Sequence, residues 1–380
     1  MINFNVPLHI DKEIEYIKEA IEENNKISGD GPFTKKCHSW MENKFDCSKA
    51  LLTTSGTHAL ELSALLIDIK KGDEVIMPSY TFTSTANSFV LRGAKIKFID
   101  IEPETMNMDA DLIEQAITSK TKAIVPVHYA GVSCDMGKIN SIADKYDLYV
   151  VEDAAQGVMS KYNDEYLGTL GDLGCYSFHE TKNYSSGEGG ALVINNKKFK
   201  ERAEIIREKG TNRSQFLRGQ VDKYTWQDLG SSYLPSDINA AYLYAQLEKA
   251  EVINNNRLSS WGLYYELLKP LEEKDIISLP YIPANCEHNA HMFYLKTNSL
   301  EERSELISYL KENGIQSVFH YIPLHSTKAG KKFGEFVGED KYTTKESEKL
   351  VRIPLYYGIK KENVLYISKQ INNFYENYYK

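Results

Sequence analysis

The chain has 380 residues, of which 42% are hydrophobic and 26% are charged, and its formal net charge is −8 at pH 7. This length suits two domains better than one small domain, and the composition is that of a soluble globular protein. The acidic balance argues against a nucleic-acid-binding protein, which usually presents a basic face. It does not exclude an anionic substrate, because one local basic or amide-rich site is enough to bind it.

The five cysteines are scattered along the chain and include no C-x-x-C pair. This pattern is neither a disulfide framework nor a zinc site, and it favours reduced thiols in the cytosol. The N-terminal stretch lacks the basic start and apolar centre of a signal peptide, and no apolar run approaches the ~20 residues of a membrane span. We therefore expect a cytoplasmic protein without a metal site that binds neither membrane nor nucleic acid.

The region from residue 50 to about 195 alternates between strand-like and helix-like segments. Several of the strand candidates are continuous apolar runs, as in strands that are covered on both faces of a parallel or mixed sheet. The predicted strands are 50–54, 74–82, 95–101, 123–130, 149–155, 175–179 and 190–195, and the predicted helices are 57–67, 83–92, 109–118 and 137–146. This βαβ layout predicts an α/β domain.

The remainder of the chain predicts a second, smaller α/β domain. Residues 234–271 look like one long helix or two in succession, with Ser236 or Asp237 as the N-cap. A strand at 288–297, a helix at 300–314, a strand at 317–325 and a closing helix at 360–380 follow. We expect a large domain at 1–245 and a small C-terminal domain at 246–380.

Ligands of open α/β sheets bind beyond the carboxyl ends of the strands, so the residues that follow the predicted strands are candidates for a binding site. Ser55–His58 could bind a phosphate through amides at a helix start, or form an ordinary capped turn. Taken singly, Asp153 is a common loop cap, Phe82 a core residue and Lys182 a solvated lysine. There is no P-loop pattern, and "GEGG" at 187–190 predicts a tight turn rather than a dinucleotide site.

The combination of these residues is more specific than any one of them. Pyridoxal phosphate needs a lysine that bonds to its aldehyde, an acid that keeps its ring nitrogen protonated, a phosphate cup at a helix start, and an aromatic or apolar cover over its ring. The chain offers all four at strand ends of one predicted domain, in the order cup, cover, acid and lysine. This predicts a pyridoxal phosphate site.

With these residues in view, the chain resembles the DegT/DnrJ/EryC1/StrS family of sugar aminotransferases. The resemblance rests on "SGTHALEL", "GDEVIMPSYTFTSTANSFVLRGA", "DIEPETMNMD", "VVEDAAQ", "SFHETKN", "SDINAAYLYAQL", "YIPLH" and "GEDKYTTKESEKLVRIPLY", and it is nearly full length. It implies the fold of aspartate aminotransferase (fold type I), with a mixed, mostly parallel sheet in the large domain, and a homodimer with active sites at the subunit interface.

The resemblance also implies roles for individual residues. Lys182 bonds to the cofactor and is the catalytic residue, Asp153 pairs with the ring nitrogen, and Gln156 lies near the ring hydroxyl. Phe82 stacks on the ring. The implied phosphate ligands are Gly56, Thr57, His58 and Ser177. Many family members have an Asn in a "G-x-N-Y-R" stretch that reaches the neighbouring subunit's phosphate, and here Ser232 of "GSSYL" takes that place.

Candidates for substrate contacts are less distinctive. Arg213 and Arg218, with Arg207 and Lys209, could bind a diphosphate or belong to a solvated basic loop. Tyr321 and His325, with His320, could contact the sugar or have structural roles.

"SFHETKNYSSGEGG", "REKGTNRSQFLRGQVDKYTWQDLGSSYLPSD" and "HNAHMFYLKT" resemble one branch of the family. That resemblance implies transfer of an amino group from L-glutamate to C4 of the dTDP-sugar dTDP-4-oxo-6-deoxyglucose, with the galacto configuration in the product. The gluco epimer and another nucleotide keto sugar stay open. The presence of Lys182 argues against relatives that carry histidine there and dehydrate sugars, and the acidic charge disfavours a non-catalytic regulator.

Overall fold

The computed structural model describes residues 1–378, which form thirteen strands and fourteen α-helices. The strands are β1 (Lys49–Thr53), β2 (Glu74–Pro78), β3 (Lys95–Ile99), β4 (Thr121–Ile124), β5 (Tyr149–Asp153), β6 (Lys161–Tyr162), β7 (Glu165–Tyr166), β8 (Leu173–Ser177), β9 (Gly190–Ile194), β10 (Cys286–Glu287), β11 (Phe293–Lys296), β12 (Gly334–Phe336) and β13 (Leu350–Ile353).

The helices include one turn of π-helix at Glu19–Glu23 and four short 3₁₀ segments, at Ala110–Leu112, Tyr129–Gly131, Lys197–Phe199 and Leu324–Ser326. The α-helices are α1 (Glu13–Lys18), α2 (Pro32–Phe45), α3 (Gly56–Leu66), α4 (Thr83–Val90), α5 (Ile113–Ala116), α6 (Met136–Tyr146), α7 (Lys200–Arg207), α8 (Arg213–Leu217), α9 (Asp237–Leu247), α10 (Ala250–Glu272), α11 (Leu300–Glu312), α12 (Lys328–Phe333), α13 (Thr343–Lys349) and α14 (Lys361–Tyr378).

Eight strands form the central sheet, in the order β1-β9-β8-β5-β4-β2-β3-β12. All neighbouring pairs are parallel except the two that β9 makes with β1 and β8. Every residue of β2, β8 and β9 is buried, which explains why these strands read as continuous apolar runs. The predicted α/β class is therefore confirmed.

Side-chain caps fix where several helices begin. Ser55, Asp135, Ser236 and Ser299 each accept a hydrogen bond from the backbone amide three residues later. The segment 234–271 is two helices, α9 and α10, and Ser236 is the N-cap.

Four predicted strands are wrong in extent or kind. The one predicted at 288–297 is the shorter β11, Phe293–Lys296. The strand predicted at 74–82 ends at Pro78, and the one predicted at 123–130 is β4, which ends at Ile124 before Pro126. Proline lacks the backbone donor that a central ladder requires. The strand predicted at 317–325 does not form, and its only ladder contact in the described chain is a single bridge between Val318 and Arg352.

The C-terminal third has its own apolar cluster, in which α10, α11 and α14 pack on the two-stranded sheet of β11 and β13. Backbone pairing is one of the ways in which it is connected with other parts of the chain. Strand β12 extends the central sheet beside β3, and Ile2 near the N-terminus pairs with Ile315. The predicted boundary at 245–246 falls within α9, and the division into two domains stays a prediction. No helix within residues 1–378 is both long and apolar enough to cross a membrane.

Candidate cofactor site

A cavity of about 530 Å³ lies at the carboxyl ends of β1, β2, β5 and β8. This volume is in the usual range for small-molecule sites. Of the residues predicted as site residues, Gly56, Thr57, Phe82, Asp153, Gln156, Ser177, Lys182 and Tyr321 line it. The cavity thus brings together residues that are up to 265 positions apart, from Gly56 to Tyr321.

The first turn of α3 forms one wall of this cavity. Ser55 caps the helix by accepting a hydrogen bond from the His58 amide at 3.1 Å. The amides of Gly56 and Thr57 lie in the first turn, where the helix itself offers them no carbonyl acceptor. The turn lies against the end of β8, since a Cβ added at Gly56 would be 2.9 Å from the Ser177 Cβ. Free amides at a helix start beside a serine hydroxyl are suited to a phosphate.

Asp153 ends β5 and is only 6% exposed. Its Oδ2 accepts from the Thr85 hydroxyl at 2.7 Å and its Oδ1 from the Ala155 amide at 3.2 Å. Within residues 1–378 this carboxylate forms no ion pair. A buried carboxylate without a cation is costly, so it is suited to a ligand that brings a positive charge.

Lys182 lies in the loop between β8 and β9, where its backbone amide donates to the His179 carbonyl at 2.9 Å. Burial lowers the pKa of its amine to about 8; the charge of Asp153 opposes the shift and the charge of Arg352 adds to it. About a tenth of the amine is therefore neutral and nucleophilic at pH 7, a share far larger than that of an ordinary lysine.

An aromatic wall covers the side of the cavity near α4. Phe82, at the N-cap of α4, is 57% exposed, and its ring centroid lies 6.1 Å from that of Tyr321. The Tyr321 hydroxyl accepts from Gln156 Nε2 at 2.9 Å, and Gln156 Oε1 accepts from the Ala130 amide at 2.7 Å. Gln156 is thereby fixed with its amide group beside the cavity.

Seven predicted residues lie outside the cavity lining, among them Lys209 and Arg207, which contacts Asp30 at 2.9 Å. The His58 ring bonds to Thr54, and Ser232 pairs with Glu208 in a backbone bridge. The other three are in side-chain pairs: Arg213 with Glu208, Arg218 with Glu204 at 2.8 Å, and His325 with Ser79 at 2.7 Å and Asp340 at 3.1 Å.

Several lining residues were not predicted, among them Phe4, Ser84, His291 and Arg352. Thr85, which positions Asp153, was also missed. Arg352 belongs to "LVRIPLY", where an arginine between apolar residues was the available signal.

These residues fit pyridoxal phosphate. The start of α3 and Ser177 suit its phosphate, the unpaired Asp153 suits its ring nitrogen, and Lys182 suits its aldehyde. Phe82 is placed to cover the ring.

Comparison with known proteins agrees with this fit. The family model of the DegT/DnrJ/EryC1/StrS aminotransferase family matches residues 8–372. GDP-perosamine synthase of Escherichia coli O157:H7 is 32% identical over 96% of both chains. A pleiotropic regulatory protein of Geobacillus stearothermophilus is 30% identical over 98% of this chain and all of that one.

Solved structures are similar over nearly the whole chain. The aminotransferase TlmJ of Streptoalloteichus hindustanus has a TM-score of 0.89 at 25% identity and covers 98% of each chain. A Streptococcus pneumoniae protein described as a sugar aminotransferase, solved in its PLP form, has a TM-score of 0.88 at 26% identity, covering 99% of this chain and 98% of that one.

The fold is that of a pyridoxal-phosphate-dependent aminotransferase, and pyridoxal phosphate is the cofactor. The chain belongs to the DegT/DnrJ/EryC1/StrS aminotransferase family.

Proposed function

We propose that this enzyme transfers the amino group of L-glutamate to the C4 keto group of dTDP-4-dehydro-6-deoxy-D-glucose. The products are 2-oxoglutarate and dTDP-4-amino-4,6-dideoxy-D-galactose, a precursor for surface polysaccharides. The observation that carries the proposal is the half-buried Lys182 and the buried, unpaired carboxylate of Asp153, in one cavity beside a helix start. The sugar and the C4 configuration rest on sequence resemblance, and the gluco epimer or another nucleotide keto sugar is the alternative.

When bound, pyridoxal phosphate supplies an aldehyde that bonds to amines and a ring that withdraws electrons from the adjacent carbon. The start of α3 and Ser177 hold its phosphate. Asp153 keeps a proton on the ring nitrogen through its negative charge, and Thr85 orients this carboxylate. Phe82 and Tyr321 exclude water from the ring.

Lys182 moves the proton in each half of the reaction. With the cofactor bound, its neutral Nζ would take the proton from the donor carbon that carries the amine, and would hold that proton for the second transfer. With the keto sugar these transfers run in reverse, and C4 gains the amine. The lowered pKa of Lys182 keeps its Nζ available as a base near neutral pH.

We also infer that the enzyme is a homodimer whose active sites lie at the subunit interface. Large apolar side chains are exposed around the cavity mouth and on the segment 216–229. They include Phe82, Phe216, Leu217, Trp226, Leu229, Phe319 and Ile322. Such a concentration of exposed apolar surface is typical of a protein interface.

The test is to supply the purified enzyme with glutamate and dTDP-4-oxo-6-deoxyglucose and to determine the C4 configuration from NMR proton couplings. Lys182→Ala should lower turnover roughly 10³-fold or more, because the variant lacks both the covalent attachment and the base. Lys198→Ala is the matched control. Lys198 packs on the Tyr149 ring outside the cavity, so this variant should keep wild-type turnover.

An equatorial amine at C4 would show that the product is the gluco epimer and not the galacto epimer. Multiple turnovers by Lys182→Ala would contradict the role of Lys182. If the wild-type protein binds the cofactor but glutamate never converts it to its amine form, the protein is a non-catalytic regulator instead.

A further inference from the structure

The N-terminal strap, defined as residues 2–8, is held at both of its ends. At one end the Ile2 carbonyl accepts a hydrogen bond from the Gln316 amide at 3.0 Å, in the C-terminal part of the chain. At the other end the carbonyl of the buried Leu8 accepts from the Tyr242 hydroxyl, on α9, at 3.0 Å. A short segment that is fixed at both ends has little freedom between them.

The middle of the N-terminal strap forms part of the cavity wall through Phe4 and Asn5. The Phe4 amide donates to Gln316 Oε1 at 3.1 Å, and the Phe4 ring packs 4.9 Å from the guanidinium carbon of Arg352. These contacts fix the residue that directly precedes Asn5. The backbone of Asn5 is therefore held at the cavity before any ligand binds.

The side-chain amide of Asn5 is available to a ligand. It forms no hydrogen bond within residues 1–378, although an amide offers two N–H donors and a carbonyl acceptor. Gln156, the other amide side chain in the cavity lining, is engaged at both of its polar atoms, by Tyr321 and by the Ala130 amide. Asn5 thus differs from Gln156 in presenting an unused donor and acceptor to the cavity.

The chemistry of an amide limits which ligand group it recognises. The groups of the cofactor already have their own sites, at the start of α3, at Asp153 and at Lys182. The amino donor brings carboxylates, which only accept hydrogen bonds and are matched best by cations. A sugar hydroxyl donates and accepts at once, as an amide does, so the two are complementary.

We propose that Asn5 binds a ring hydroxyl of the sugar substrate and so contributes to the choice of sugar. Because the N-terminal strap is fixed at both ends, little ordering of the chain is needed when the sugar binds. The proposal rests on the proposed function for the class of substrate, a nucleotide sugar. The position of Asn5 in the cavity wall and its unused amide carry the rest.

The test separates the sugar from the nucleotide by calorimetry with the enzyme in the amine form of its cofactor. One probe is dTDP-6-deoxyglucose, in which a hydroxyl replaces the keto group so that no amino transfer occurs. The other probe is dTDP, which lacks the sugar. Asn5→Ala should weaken binding of dTDP-6-deoxyglucose roughly 3- to 10-fold, the effect of losing one neutral hydrogen bond, and should leave dTDP binding unchanged. The half-saturating glutamate concentration of the first half-reaction should also stay unchanged.

Asn3→Ala is the matched control. Asn3 is the same type of residue in the same strap, but it is exposed and absent from the cavity lining. This variant should bind both probes like the wild type. Asn5→Leu keeps a side chain of similar size without its polar atoms, so it should weaken dTDP-6-deoxyglucose binding at least as much as Asn5→Ala.

Unchanged affinity of Asn5→Ala for dTDP-6-deoxyglucose would overturn the proposal, as would equal weakening of both probes. Wild-type affinity in Asn5→Leu would show that the side chain acts by packing, and would overturn it too. If Asn5→Ala does not fold, the two probes are compared in Asn5→Leu, with the same outcomes deciding. If the wild type binds neither dTDP probe, the dTDP-sugar of the proposed function is wrong, and GDP-mannose compared with GDP decides the role of Asn5.

Discussion

At the scale of single residues, the charge state of Lys182 controls how the protein takes up its cofactor. Burial lowers the pKa of this amine to about 8, and the neighbouring charges of Arg352 and Asp153 act in opposite directions. Below pH 8 the amine is mostly protonated and cannot attack the aldehyde, whereas above pH 8 it is mostly neutral. The pKa therefore sets a pH range in which cofactor capture changes.

We expect the rate of cofactor capture by the cofactor-free protein to rise with pH and to level off above a midpoint near pH 8. Stopped-flow absorbance after mixing with pyridoxal phosphate measures this rate. Arg352→Gln removes a cation that lowers the pKa, so its midpoint should move to higher pH. Asp153→Asn removes an anion that raises the pKa, so its midpoint should move to lower pH. A midpoint near the ordinary lysine value would contradict the assignment.

The sequence allowed Lys182, Asp153 and Gln156 to be placed together because each follows a buried strand, and parallel strands present their carboxyl ends at one edge. The same rule could not predict that Arg352 lines the cavity. It lies within β13, outside the central sheet, and only the pairing of β13 with β11 and the bridge to Val318 set its place at the cavity.

At the scale of elements, the close approach of α3 to β8 shapes the predicted phosphate cup. Gly56 is required there because a side chain would lie 2.9 Å from the Ser177 Cβ and 3.2 Å from the Tyr176 carbonyl oxygen. The carbonyl oxygen belongs to the sheet and cannot move easily, so the helix start must shift instead.

We expect Gly56→Ala to weaken pyridoxal phosphate binding by about 1–3 kcal/mol, the usual cost of overpacking. Equilibrium titration of the cofactor-free protein measures this. Gly262→Ala in α10 is the control, because no atom lies within 4 Å of the added Cβ and alanine favours a helix. It should leave cofactor affinity unchanged and should not lower the thermal midpoint. Equal cofactor affinity in both variants would show that the close approach does not shape the cup.

The strand predicted at 317–325 shows where an apolar pattern misleads. Phe319 is 49% exposed and Ile322 is 62% exposed, while His320 and Tyr321 face the cavity. Pro323 removes a backbone donor from the segment. The run is apolar because it forms a cavity wall and an exposed surface, and periodicity alone does not distinguish these from a buried strand.

At the scale of the whole molecule, the α/β architecture could be predicted from the alternation of buried strands and helices, since this pattern is continuous from β1 to β5. The pairing of β12 with the central sheet could not be predicted from the sequence. Its three residues, Gly334–Phe336, carry no periodic signal, and they reach β3 only because α12 and the preceding loop bring them there.

The exposure of Trp226 makes the proposed dimer visible by its own fluorescence. Of the chain's three tryptophans, Trp226 is 79% exposed, Trp261 is 9% exposed and Trp40 is partly buried. Emission of an indole shifts to shorter wavelength when water leaves it. If the segment 216–229 contacts a second copy, the spectrum should shift to the blue as the protein concentration rises through the dissociation constant.

Trp226→Phe should abolish this shift and Trp261→Phe should retain it, with sedimentation velocity reporting the mass in parallel. A dimer by mass whose Trp226 emission stays that of a hydrated indole would place the interface elsewhere. The unchanged emission of Trp226 would then show that the segment 216–229 stays in contact with water in the dimer.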